Sequence, residues 1–304
     1  MISDDKLVID ISSTALSKPG AKEWMKQAQE LAAEYDAVLG VQVHNSALQE
    51  EFDLALACGY PLSFHSPVMG EYMMNFAAEE CSVSWQMAAE QAVLMKKHNV
   101  FSSVFHAALM TDKPIYAFGH GMTYQECMRQ SNRPELARDP GLPFIADYTT
   151  SEEYLMRRER LKNNLKELKQ RYPEFLWCVE NDFPAFVAGV LRGSDLAYLD
   201  HEVCFDTGHM WATCKMLDLD FYDELQTALE SGKVEMIHLH ASKYTFDMPH
   251  DEWGDGHLPL TYSQSAIDLK RVVKMCKASG VGHFVLECGT TQLADIEKFL
   301  NYYI

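Results

Sequence analysis

Eight short apolar runs, spread along the whole chain and separated by stretches of helical period, constrain this sequence more than any other feature. The runs are LVIDIS (7–12), AVLGVQV (37–43), PLSFH (61–65), FSSVFH (101–106), FLWCVE (175–180), EVCFD (202–206), EMIHLH (235–240) and HFVLE (283–287). Between them lie helix candidates: KEWMKQAQELAAEY (22–35), SWQMAAEQAVLMKKH (84–98), SEEYLMRRERLKNNLKELKQRY (151–172), DFYDELQTALESG (220–232), SAIDLKRVVKMCKAS (265–279) and QLADIEKFLNYY (292–303). A strand that is apolar on both faces needs cover on both faces, and in a parallel sheet the following helix supplies it. Eight such units predict an α/β fold, a closed (β/α)8 TIM barrel, as a single domain over residues 1–304. An open doubly wound sheet is the runner-up. It would place a Gly-rich phosphate turn after the first strand, where this chain reads ISSTALSKPG.

One connection is too long to be a simple link. Residues 107–150 run from the fourth strand to its helix and include TDKPIYAFGHGMTYQECMRQSNRPELARDPGLPF. Loops longer than about 15 residues in a compact domain are usually functional or disordered, and the aromatic content here argues for order. In a barrel this segment sits over the catalytic face as a lid. Its apolar residues also lead us to expect a homo-oligomer.

The formal net charge is −18, so the global field repels a polyanion and makes duplex DNA an unexpected partner. The opening MISDDKLVID lacks the layout of a signal peptide. No run of 18 apolar residues offers a membrane span. Eight Cys are scattered without a C-x-x-C pair. This fits a reduced, cytoplasmic setting.

The strand endings carry the functional signal. The third run ends in His65, the fourth in His106, the fifth in Glu180 and the eighth in Glu287. The sixth ends in Asp206, with His209 just beyond in VCFDTGHM, and the seventh carries His238 and His240. His44 follows the second. Taken singly, each is an ordinary hydrogen-bonded residue or helix cap. Together they crowd carboxylates and imidazoles onto the face where barrel enzymes keep their active sites, and carboxylates that close repel unless a cation sits among them. HDEWGDGHLPL (250–260), between the last two strands, adds Asp255 and His257 over the same mouth.

At this point the chain resembles the xylose-isomerase-like barrels, the superfamily of sugar isomerases, sugar epimerases and endonuclease IV. The resemblance follows strand order over nearly the whole chain. It is most specific in FDTGH, in IHLH followed by DGHLPL, and in the terminal LE. Endonuclease IV relatives hold three zinc ions with nine ligands. The resemblance places these at His65, His106, Glu180 (in VEND), Asp206, His209, His238, Asp255, His257 and Glu287. The isomerases and epimerases hold one divalent metal with two glutamates, an aspartate and a histidine, here Glu180, Glu287, Asp206 and His238. In them the two glutamates also move the proton. Departures are the TYSQ after DGHLPL, the His-Ala after HL, and the long segment after His106.

The leading expectation is therefore an isomerase or epimerase of a small sugar or related polyol or keto compound. Glu180 and Glu287 are its catalytic pair, zinc or manganese its metal, and His65, His106, His209 and His257 contact the substrate. The alternative is a multi-metal phosphoester hydrolase of the endonuclease IV kind, with His65, His106, His209, Asp255 and His257 as additional ligands. A metal-stabilised binding protein without turnover is a third reading.

Overall fold

The computed structural model describes residues 6–118 and 122–304. Residues 1–5, which open the stretch read for a signal peptide, and 119–121, within the long segment, lie outside the described residues. Eight strands close into an all-parallel barrel in sequence order, with the first pairing to the last. They are β1 (Val8–Ser12), β2 (Val38–Val43), β3 (Leu62–Ser66), β4 (Ser102–Phe105), β5 (Leu176–Glu180), β6 (Val203–Asp206), β7 (Val234–Leu239) and β8 (His283–Leu286). The doubly wound alternative is excluded, because an open sheet has two unpaired edges.

The outer helices are α1 (Ala21–Glu34), α2 (Gln49–Ala57), α3 (Ser82–His98), α4 (Tyr124–Arg129), α5 (Glu152–Arg171), α6 (Gly193–Leu199), α7 (Thr207–Leu217), α8 (Phe221–Glu230), α9 (Leu269–Ala278) and α10 (Leu293–Tyr303). Helix α9 begins at Leu269, not Ser265, because Asp268 caps it by accepting from the Arg271 amide. No helix among the described residues is long and apolar enough to cross a membrane.

Strand residues alternate between the helix layer and the barrel interior. The interior carries a small buried layer from five strands: Val104, Cys178, Cys204, Met236 and Val285. Two residues beyond each lies His106, Glu180, Asp206, His238 or Glu287. The polar ring is thus the next inward layer, and its apolar underlay closes the barrel beneath it. The same two-residue step leads from Ser63 to His65 and from Gln42 to His44.

The 107–150 segment is ordered where it is described. It contains α4 and a 3-10 turn at Pro134–Leu136. Its apolar side chains, Ile115, Cys127, Met128, Leu136, Phe144 and Ile145, join Val187 and Leu191 in a core separate from that of the barrel. Arg133 fastens this unit to the barrel's outer layer by pairing with Glu153 of α5, and within the unit it donates to the Met110 carbonyl at 2.9 Å.

Candidate metal centre

The inward layer brings Glu180, Asp206, His238 and Glu287 together, and all four are buried. They converge on one atom. His238 Nδ1 lies 2.8 Å from Glu180 Oε1, 3.0 Å from Glu287 Oε2 and 3.9 Å from Asp206 Oδ2. One ring nitrogen carries at most one proton, so it cannot satisfy three carboxylates. Glu180 Oε2 and Glu287 Oε2 are buried without a hydrogen-bond partner. Uncompensated carboxylates are costly to bury, and a divalent cation bound by mixed carboxylate and imidazole donors removes that cost. The donor set fits such an ion.

Two further groups flank the first. His65 Nε2 and His106 Nε2 face Glu180 Oε2 at 3.0 and 3.5 Å. His209 Nε2 and His257 Nε2 face Asp255 Oδ2 at 3.1 and 2.8 Å. Three of these rings are held from behind. His106 Nδ1 donates to Asp182 Oδ1 (2.9 Å), His209 Nδ1 to the Asn181 carbonyl (2.9 Å) and His257 Nδ1 to the Glu287 carbonyl (3.0 Å). Each bond leaves Nε2 in the neutral ring as a bare lone pair aimed at a carboxylate oxygen, a repulsive arrangement that a proton or a metal ion relieves. Outer hydrogen bonds of this kind orient metal-binding histidines. Every site residue expected from the sequence lies within this one constellation.

Asp206 combines two roles that had looked like alternatives. Its Oδ1 accepts from the His209 amide at 2.6 Å and caps α7, while Oδ2 turns toward His238 and sits 3.2 Å from His240 Nε2. Helix α7 therefore starts directly at the strand end, and its first turn swings His209 back over Asp206. His209 packs against Phe183 and His106, not Trp211, whose ring rests on Phe221 and Phe246. Gly208 leaves room for His240, since a Cβ there would collide with His240 Cε1.

Several contributors were not assigned a role from the sequence. His240 stacks on His257 with ring centroids 4.2 Å apart, and its Nδ1 accepts from the His257 amide. That bond helps hold His257 at a positive φ of 39°, which a histidine adopts only under constraint. Asp182 orients His106 and is fixed in turn by the Gly189 and Val190 amides. Asn181 both accepts from the Asp206 amide and donates to its carbonyl. His44 Nε2 lies 3.8 Å from Glu287 Oε1. The inward period of two pointed to His44 and His240. The turn that brings 189–190 back to Asp182 left no local trace.

Charge and burial oppose each other throughout. Burial alone would raise Glu180 and Glu287, but His238 and neighbouring imidazoles outweigh it and hold both well below the usual carboxylate range. Burial would lower His257, but Asp255 and then Glu287 outweigh it and lift the ring to about 10. His44 is dominated by burial, reinforced by His65, and falls to about 3.

Above the cluster is a cavity of about 850 Å³. Its floor includes His65, His106, His209, His257 and Glu287, and its walls include Phe118, Tyr124 and Phe144 from the long segment. The segment therefore covers the barrel mouth and contributes side chains to the pocket, as its length predicted.

No family model matches the chain, and no curated protein matches it. Solved structures do. A 3-keto-D-glucoside 4-epimerase from E. coli aligns over 97% of this chain and 100% of its own, at 12% identity and a TM-score of 0.56. The IolI protein with a bound zinc atom aligns over 98% of each chain, at 12% identity and a TM-score of 0.54. Endonuclease IV from Thermus thermophilus aligns over 98% of this chain and 97% of its own, at 17% identity and a TM-score of 0.50. The chain shares their fold. That fold is the TIM barrel, and at these identities the likeness extends to the fold alone.

Proposed function

We propose that this protein is a divalent-metal-dependent enzyme that isomerises or epimerises a small carbohydrate by proton transfer. One observation carries the reading: two buried glutamates, each with an oxygen lacking a hydrogen-bond partner, lie at the base of a lidded cavity, Glu287 lining it and Glu180 behind the lining His65 and His106. Glu180, Asp206, His238 and Glu287 would hold the ion, zinc or manganese. When bound, it would polarise a substrate carbonyl and acidify the neighbouring C–H. Glu180 or Glu287 takes that proton, the C–H electron pair shifts toward the carbonyl, and one of the two glutamates returns the proton elsewhere, to carbon or oxygen. His65, His106, His209 and His257 surround the reacting end and orient its oxygens. The lid excludes water from the charge that develops. The epimerase among the similar structures supports this reading, as does the zinc bound in IolI.

The pre-oriented outer histidines favour a second reading. Their Nε2 atoms, with Glu180 and Asp255, form two more donor groups beside the first. These suit two or three ions clamping the attacking and leaving oxygens of a phosphoester, and an endonuclease is among the similar structures. Elemental analysis separates the two. One ion per chain, with exchange of a carbon-bound hydrogen of a sugar for deuterium in D2O, supports the isomerase. Two or three ions, with phosphate release and no such exchange, overturn it.

A further inference from the structure

The cavity is divided by chemistry. Ser12, Thr14, His44 and Asn45, on the side formed beyond β1 and β2, present hydroxyl, amide and imidazole groups. Opposite them the long segment and the 183–188 turn contribute Phe118, Phe144, Phe183 and Phe186, with Trp253 from the loop after β7. Among the described residues no Lys or Arg lines the cavity, whereas Asp182, Asp251, Asp255 and Glu287 do. A phosphate held away from the metal floor would meet Asp251 and no Lys or Arg, with the carboxylates of the floor nearby, an unfavourable setting for an anion. The volume of about 850 Å³ lies within the range that holds drug-sized ligands, so a lone hexose leaves much of the aromatic wall uncovered.

Resting on the carbohydrate reading above, we propose that the ligand is an uncharged glycoside with an apolar aglycone, its glycosidic carbon closed as an acetal and the carbonyl that the proton transfer needs carried as a ketone on the sugar ring. The sugar lies over the carboxylates, between the polar side and the floor. The aglycone lies against the aromatic wall of the lid, where burial of its apolar surface drives binding.

The test uses the full-length, metal-loaded protein and isothermal titration. The probes are p-nitrophenyl glycosides, methyl glycosides and hexose 6-phosphates of gluco, galacto, manno and xylo configuration, where each exists. At least one p-nitrophenyl glycoside is expected to bind tenfold or more tighter than its methyl counterpart and than the matching 6-phosphate. Phe144→Ala should remove most of that advantage while leaving the methyl glycoside within twofold. If Phe144→Ala does not fold, Phe118→Ala, at a partly exposed position, makes the same comparison. Gln125→Arg, at an exposed position on the cavity rim, supplies the missing cation and should raise affinity for the 6-phosphate at least fivefold. Equal or tighter binding of the 6-phosphate by the unmodified protein, no aryl preference, or no binding across the panel each overturns the proposal. Aryl preference without deuterium exchange on an aryl glycoside that carries a ring ketone counts against the isomerase alone. Exchange on free or phosphorylated sugars without aryl preference counts against the glycoside alone.

Discussion

Replacing Asp206 with Asn separates the two jobs of that side chain. As a helix cap, Asn is about as good as Asp, so α7 itself should lose little. The difficulty is on the other oxygen. His240 Nδ1 already accepts from the His257 amide, so Nε2 carries the proton and donates to Asp206 Oδ2. An Asn in the native pose turns its NH2 toward that N–H; flipped, it turns the NH2 toward the His209 amide. Either pose strands one buried donor, a loss of about 1–3 kcal/mol. At about 2–4 °C per kcal/mol for a large domain, the metal-free variant should melt roughly 2–12 °C lower. The variant also removes one of three carboxylates around His238 Nδ1. Zinc retained after dialysis against a weak chelator should fall well below the parent, and activity should disappear with it. The measurements are thermal melting of the metal-free protein and elemental analysis of the loaded one. A variant that melts with the parent and keeps its full metal content would refute both the hydrogen-bond assignment and the central site.

The metal-free protein should also lose stability as pH rises. His257 has a folded pKa of about 10 against roughly 6.5 unfolded, so its contribution is complete below about 6.5 and lost as pH passes through 10. Melting temperature should fall across that window, less so with zinc bound, and zinc binding within it should release protons; a flat profile would contradict the charge assignment. Gly208→Ala forces a Cβ against His240 and should cost about 1–3 kcal/mol by denaturant unfolding; an unchanged midpoint would show that the ring moves freely. Asp182→Asn keeps the side-chain shape but weakens the hold on His106, and should lower activity more than it lowers metal content at the central site. Arg133→Ala removes the anchor to Glu153 and Met110, so proteolysis within 107–150 should accelerate while metal content stays level.

The barrel was legible because strands buried on both faces read as apolar runs, and their polar endings stood out against that background. Glu180, Asp206, His238 and Glu287 were visible for the same reason: each follows an inward apolar residue by two. The boundary at α7 was obscured because Asp206 ends a strand and caps a helix at once, leaving no loop to mark the change. Helices α2 and α6 are short, and the start of α6 is fixed by contacts outside its own segment. Gly193, for example, leaves no room for a Cβ beside the Glu224 carbonyl in α8. The backing of the histidines was the least visible part. Asn181, the Glu287 carbonyl and Asp182 act across separations of 28, 30 and 76 positions, and no local pattern encodes such pairings.

The separate apolar core of the long segment bears on how a protein like this changes. The floor of the cavity stands on the inward barrel layer, where a shifted side chain disturbs several carboxylates at once. Much of the wall stands on Ile115, Met128, Leu136 and their neighbours, which share no cluster with that layer. Exchanging Phe118 or Phe144 therefore reshapes what the chamber admits and reaches the reactive groups through single ring contacts, Phe118 on His44 and Phe144 by way of Phe183 on His209. Selectivity and reactivity are thus only loosely coupled, and a library confined to the lid should yield altered ligand preference at little loss of metal binding.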